Sequence, residues 1–172
     1  MIKIAGAALI LSVSFLFGLQ QKQRLWEHVK QLVGCKEMLF MLSGEMSYAK
    51  APLLEAFRHI SSRGKEPFGS FLEEVAKELE TKQDQPLPEI WRDVLNRQRN
   101  KFCFSQEEFG LLESLGDNFG YLDVQMQLNH LSLCMQQLDA KIVQAQGELA
   151  AKQKLYQYLS VMCGLFFILI LL

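Results

Sequence analysis

No proline falls between Asp123 and Leu172, so nothing in that stretch forces a helix to break. The chain also lacks a charge excess. Its formal net charge is −1, which supplies no global field to attract nucleic acid or a membrane surface. It lacks paired cysteines: Cys35, Cys103, Cys134 and Cys163 stand far apart, with no C-x-x-C. That spacing excludes a zinc ribbon or finger and argues against a disulfide framework. The thiols read as scattered core residues compatible with a reducing cytoplasm. Catalytic motifs are missing too: there is no H-E-x-x-H, no G-x-x-x-x-G-K-[ST], no G-x-G-x-x-G and no G-x-S-x-G. His28, His59 and His130 are isolated, and no carboxylates fall at metal-ligand spacing. With neither an activated nucleophile nor a phosphate cradle, the pattern points away from an enzyme and toward a structural or interaction protein. An enzyme would need a metal or a carboxylate site without a motif. No cofactor is implied, and no strand of any length is expected.

What is present is helix. Asp123 to Leu172 reads as one continuous helix with Asp123 as a plausible N-cap. Val124, Leu128, Leu131, Met135, Leu138, Ile142, Ala145 and Leu149 recur at alternating steps of four and three, keeping one face turned to a partner helix. After Lys152 and Lys154 no charge remains, and Val161 to Leu172 is apolar all round, as in a bilayer. Ile4 to Leu19 is a second uncharged run. A cleaved signal peptide would need small residues at its end, whereas Phe15, Leu16 and Phe17 are bulky and the helical pattern continues past Gln20. Each run spans about 24–27 Å as helix against a hydrocarbon core of ~30 Å. Flanking Trp26, Tyr156 and Tyr158 suit the interface, and Lys22, Arg24, Lys152 and Lys154 can snorkel. Basic residues near the spans concentrate on the central segment, which the positive-inside tendency places in the cytoplasm. The expected organisation is a transmembrane helix at 1–19, a helical-bundle domain at 20–154 and a second transmembrane helix at 155–172. The alternative is an exported helical protein with a cleaved N-terminal signal and a C-terminal anchor.

Within the domain, a first helix from Gln20 to about Tyr48 carries Leu25, Val29, Leu32, Cys35, Leu39, Leu42 and Met46 at helical spacing. Gly34 and Gly44 signal close approach of another helix. Pro52 suits the first turn of a second helix, which buries Leu53, Phe57 and Ile60 and ends at Gly64. A third, from Pro67 to Lys82, buries Phe68, Phe71, Leu72, Val75 and Leu79, with Glu73, Glu74, Glu78 and Glu80 as a solvated face. After the break at residues 84–88 a fourth runs from Glu89 to Lys101, with Ile90, Trp91, Val94 and Leu95 inward. Arg92, Arg97, Arg99 and Lys101 make a small basic patch, read either as ordinary surface charge or as a contact for phosphate or an acidic partner. Ser105 with Glu108 is a capping box, opening a helix that buries Phe109, Leu112 and Leu115. Residues 116–120 form a glycine-bounded turn. Asn129 and Gln136, near the last helix's stripe, are candidates for setting register. The fold class is therefore all-α: a six-helix bundle whose first and last helices continue into the terminal spans.

Two stretches carry a resemblance. Glu45, Met46, Ser47 and Tyr48 followed by Ala51, Pro52, Leu53, Leu54, Glu55, Ala56 and Phe57 resemble the E-x-x-Y…T-P-L-x-E-A-F segment of the stage III sporulation protein AB family. Leu115 to Gly120 with Asp123, Gln127 and Leu131 resemble its L-G-x-x-x-G-x-x-D-x-x-x-Q-x-x-x-L segment. The opening Lys3 to Gly6 and the apolar tail also sit where that family has them. Ala51 departs from the usual threonine, losing a possible N-cap. The family is similar to the type II secretion inner-membrane platform protein, the F component, which implies a six-helix domain of the secretion F-domain type. The resemblance further implies a channel joining mother cell and forespore in an endospore-forming bacterium. The chain would lie in the outer forespore membrane with its central domain in the mother-cell cytoplasm. Its partners would be a secretion-type ATPase, stage III sporulation protein AA, and other channel proteins, with a homo-oligomer possible. Candidate docking residues are Glu45, Tyr48, Pro52, Leu53, Glu55 and Phe57 around one turn, and the patch of Arg92, Arg97, Arg99 and Lys101.

Overall fold

The computed structural model describes the backbone of residues 2–49, 52–82, 84–119 and 123–171, and the side chains of 23–48, 52–82, 84–119, 123–152 and 155. Among these residues there is no strand. Six α-helices follow in order: α1 (Ile2–Gly44), α2 (Leu53–Ser61), α3 (Phe68–Thr81), α4 (Leu87–Arg97), α5 (Gln106–Asp117) and α6 (Val124–Leu171). A π-helical turn, Glu45–Ala49, follows α1, and a 3-10 turn, Arg99–Lys101, follows α4. The chain divides into two compact units, Lys30–Ile142 and Met1–Val29 with Val143–Leu172.

The unit Lys30–Ile142 holds the core. Leu32, Cys35, Met38, Leu39 and Leu42 of α1 are buried, as are Leu131, Cys134 and Leu138 of α6. The two helices are bridged by Lys36 and Asp139 at 2.6 Å. Residues of α2, α3, α4 and α5 and the turn after α5 build an aromatic cluster centred on Trp91, which is fully buried. The Trp91 ring meets Phe71 edge-on at 4.7 Å, Phe119 at 5.5 Å and Phe57 at 5.9 Å, the offset and edge geometries aromatic rings prefer. Its indole N–H donates to the Leu112 carbonyl at 2.9 Å, so no polar atom of the ring is left unpaired in the core. A second aromatic group, Phe68, Phe102 and Phe104, closes the side nearer Gly34.

The caps explain where the short helices start. Pro52, Pro67 and Pro86 each stand at the N-cap, where no intrahelical N–H is needed. Pro88 falls in the first turn of α4, so that helix begins at Leu87 rather than Glu89, and it ends at Arg97 rather than Lys101. The capping box of α5 is formed: Ser105 Oγ accepts from the Glu108 N–H, and the Glu108 carboxylate accepts from the Ser105 N–H at 2.7 Å. Asp123 stands at the N-cap position of α6, its carbonyl accepting from the Gln127 N–H at 3.0 Å.

Several expectations are corrected. Gly34 does mark a close approach, since a Cβ there would lie 3.2 Å from the Phe68 ring, but Gly44 has open space around it. Gly116 belongs to α5 rather than to a turn. Val124 is half exposed, and the inward face of α6 instead includes Gln127 and Cys134. Asn129 and Gln136 are both exposed, away from the stripe they were expected to register. Cys103 is exposed rather than a core thiol. The acidic face of α3 is not simply solvated, because Glu74 and Glu78 pair with Arg97.

In the unit of Met1–Val29 and Val143–Leu172, Leu25 and Val29 are half-buried, Ala145 is buried, and Trp26 and Val143 are exposed. Among the described residues no helix is long and apolar enough to cross a membrane. The expected spans at 1–19 and 155–172 lie outside the described side chains except for Leu155, as do Tyr156, Tyr158 and Cys163.

Candidate functional site

Where α1 gives way to the π turn, the helical ladder is weak for a local reason. Gly44 has the poorest helix propensity after proline, and the Ser47 hydroxyl bonds back to the Gly44 carbonyl at 3.4 Å. Turns of this kind occur often at functional sites. Here the turn lifts Tyr48 clear of the bundle to 91% exposure. A phenol ring that exposed makes no packing contribution to the fold. Glu45 on the same turn faces His59 of α2, its carboxylate 3.6 Å from Nδ1.

Two grooves open at this turn, and Tyr48 lines the smaller of them. One, of about 600 Å³, is lined by Met46, Pro52, Leu53, Val124 and Leu128 among others. The other, of about 280 Å³, is lined by Met41, Glu45, Tyr48, His59 and Arg63 among others. Val124 and Met126 at the start of α6 add exposed apolar surface beside the first. Of the candidate residues in this region, Glu45 and Tyr48 line one groove, Pro52 and Leu53 line the other, and Glu55 is exposed on α2. Phe57 is not among them: it is fully buried against Trp91 and Phe119, so it supports the surface from beneath. Val124, Met126 and Leu128 were missed as surface residues because the regular spacing of α6 assigned Val124 and Leu128 inward. Gln127 is buried near the start of α6 instead, while Leu131, Leu138, Ile142 and Ala145 are buried as the spacing predicts.

The basic patch on α4 is largely engaged within the fold. Arg92 reaches Asp117 at 2.5 Å and Glu113 at 3.5 Å on α5. Arg97 pairs with Glu78, and with Glu74 at 3.0 Å, on α3. The Arg97 hydrogen bond holds the Glu78 carboxyl below the usual range. The Arg99 guanidinium lies over the Phe109 ring, 4.5 Å from its centroid, and donates to Gln106. Lys101 is exposed, and its backbone carbonyl accepts from the buried Gln31 amide at 3.2 Å. Arg92 and Arg97 thus tie α4 to its neighbours and Arg99 ties the 3-10 turn to α5, so an anionic partner would have to compete with carboxylates already paired to Arg92 and Arg97.

No group of three His, Cys, Asp or Glu among the described residues is placed to hold a metal. The two buried thiols are pushed up by burial, Cys134 to about 11, so they are inert as nucleophiles at neutral pH.

The comparisons with known proteins agree with the helical fold. The stage III sporulation protein AB of Bacillus subtilis strain 168 is 23% identical over 172 residues, covering 100% of both chains. A solved structure of a stage III sporulation protein AB superposes with a TM-score of 0.66 at 21% identity, covering 72% of this chain and 97% of that one. At that identity the likeness establishes the fold. The family model described as stage III sporulation protein AB matches residues 3–172, so the chain belongs to the stage III sporulation protein AB family.

Proposed function

We propose that this chain is a non-enzymatic membrane platform in a mother cell–forespore channel, and that the Tyr48 surface docks a cytoplasmic secretion-type ATPase, stage III sporulation protein AA. The observation that carries the reading is Tyr48 itself, held 91% exposed on a π turn where two grooves open. Exposed tyrosine is a costly way to make a solvated loop and an economical way to anchor an interface. The apolar runs at 4–19 and 155–172 support a membrane anchor at each end, and α1 and α6 each extend from such a run into the bundle. A load on the docking surface would then pass along two helices rather than through a flexible linker. The basic residues near the runs support a reading with the bundle in the mother-cell cytoplasm, beside the outer forespore membrane.

The test has two parts. A single Ser62→Cys label, at an exposed position between α2 and α3, is placed in a chain with the native cysteines replaced. It should react with a membrane-impermeant maleimide only after permeabilisation, and reaction in intact cells would overturn the cytoplasmic placement. The ATPase should co-purify with the full chain from detergent-solubilised membranes, and its absence there would overturn the docking reading.

A further inference from the structure

Among the described residues, the outward face of α6 in the unit Lys30–Ile142 is poor in charge. Only two charged residues occur between Val124 and Ile142, and both are turned toward neighbouring helices. Asp139 pairs with Lys36 of α1, and Lys141 pairs with Glu107 before α5 is completed. Along the outward face run Met126, Asn129, Leu133, Gln136 and Ala140, all exposed, with Met126 at 56% and Leu133 at 53%, and uncharged Gln125, Ser132 and Gln137 are exposed beside them. The spacing from Met126 to Ala140 is three, four, three, four: a heptad seam on the side of the helix away from the core. In the sequence the register continues through Val143 and Gly147 without a charge.

A solvated helix face in a chain with 22% charged residues ordinarily carries charge at these positions. Here burial would strip water from no ion. The occupant follows from the same chemistry. A face with charges to satisfy would find no counter-charge on this one. A second copy of α6 meets it with apolar against apolar and amide against amide. Asn129 and Gln136 each carry both a donor and an acceptor, so each can pair with its own copy across a two-fold axis. A polar residue within a seam also fixes register. The other exposed faces are not self-matching, since α3 presents carboxylates and α4 arginines. We infer that the Met126–Ala140 face of α6 is a homotypic interface, joining two copies of this chain through paired α6 helices. The inference does not depend on ATPase docking, because Tyr48 plays no part in it.

The test uses the full chain in its membrane, with native cysteines replaced and one cysteine introduced as Gln136→Cys or Ala140→Cys. Glu73→Cys, on the exposed face of α3, serves as the control. Oxidation with copper phenanthroline should give a dimer band at the two α6 positions and none at the control, and Leu133→Lys added to the Gln136→Cys chain should abolish it. No dimer at the α6 positions, equal dimer at the control, or a cross-linked species of another mass would each overturn the inference. Because Cys35 and Cys134 are buried, their replacement can disturb the fold, so a second measurement keeps them. Sedimentation of the wild-type chain in detergent should give a dimer mass, and the Leu133→Lys/Ala140→Lys chain a monomer mass. A monomeric wild type, or a double variant as dimeric as the wild type, would overturn it.

Discussion

Replacing Gly116 by alanine adds one methyl group at the worst place in the core. A Cβ there would lie 2.0 Å from Trp91 Cδ1, 2.3 Å from Cγ and 2.6 Å from Nε1. No real Cβ tolerates such a distance, so the ring must move. Its neighbours oppose that: Phe71 is edge-on at 4.7 Å, Phe119 lies at 5.5 Å, and the indole N–H is bonded to Leu112 at 2.9 Å. Overpacking of this kind costs about 1–3 kcal/mol, and the immobile surround places this case near the top of that range. Loss of the buried indole hydrogen bond adds about 1 kcal/mol or more. Against this, alanine in a helix gains roughly 1 kcal/mol over glycine. The net is a destabilisation of about 3 kcal/mol, or roughly 12 °C in Tm for a unit of this size. Gly44→Ala is the matched control, with open space around the new methyl, and should leave Tm unchanged or slightly raised. Thermal unfolding of the full chain followed by circular dichroism, with tryptophan emission as a second probe, reads both. Equal Tm values for the two variants would refute the claim that Gly116 exists to admit Trp91. Partial rescue of Gly116→Ala by Trp91→Leu would strengthen it.

Other consequences follow from single contacts. Gln31 spans two backbone groups, donating to the Lys101 carbonyl at 3.2 Å and accepting from the Cys103 N–H at 2.7 Å. Gln31→Leu should therefore cost about 2 kcal/mol by denaturant titration, and a neutral result would show that water replaces the amide freely. The Glu78 carboxyl is held low by its hydrogen bond from Arg97, so its contribution is present above its ordinary value of 4.5 and lost as pH falls through its lower folded value. The Tm gap between wild type and Glu78→Gln should be constant near neutrality and close below that value, while a gap independent of pH would contradict the pairing. Cys103 is exposed, whereas Cys35 and Cys134 are buried with raised pKa values. A thiol reagent should accordingly modify Cys103 in the folded chain and reach the other two only on unfolding, as peptide mapping would show.

What could be read from the residues was whatever is local along the chain. The Ser105–Glu108 capping box, the inward Ile90, Trp91, Val94 and Leu95, and Phe68, Phe71, Leu72 and Val75 of the α3 face are set by neighbours within one or two turns and are found, while Leu79 at the end of that face is only half-buried. Prolines were legible as helix starts but not to the residue, because the same missing N–H suits the N-cap and the first turn alike. What escaped was settled through space. Gly116 looked like a turn glycine because nothing in its own segment shows that Trp91, on another helix, needs the room. Arg97 and the α3 glutamates looked like two separate surfaces because their pairing is made by the packing of α3 on α4. Of the candidate docking residues Phe57 belongs to the core, while Val124 and Met126, which the spacing did not assign there, lie at the surface. The α6 stripe holds at Leu131, Leu138, Ile142 and Ala145 and departs only near its start, where Gln127 rather than Val124 is buried.

The central claim is that the bundle end around Tyr48 holds a partner ATPase, and the most direct measurement is its affinity for stage III sporulation protein AA. Full-length chain in detergent would be titrated with the ATPase, as wild type and as Tyr48→Ala. Because Tyr48 makes no packing contribution, the substitution should leave Tm unchanged. An anchor tyrosine at the centre of an interface is worth about 2 kcal/mol or more, so Kd should rise roughly 30-fold. The same affinity for both chains, at equal Tm, would contradict the account.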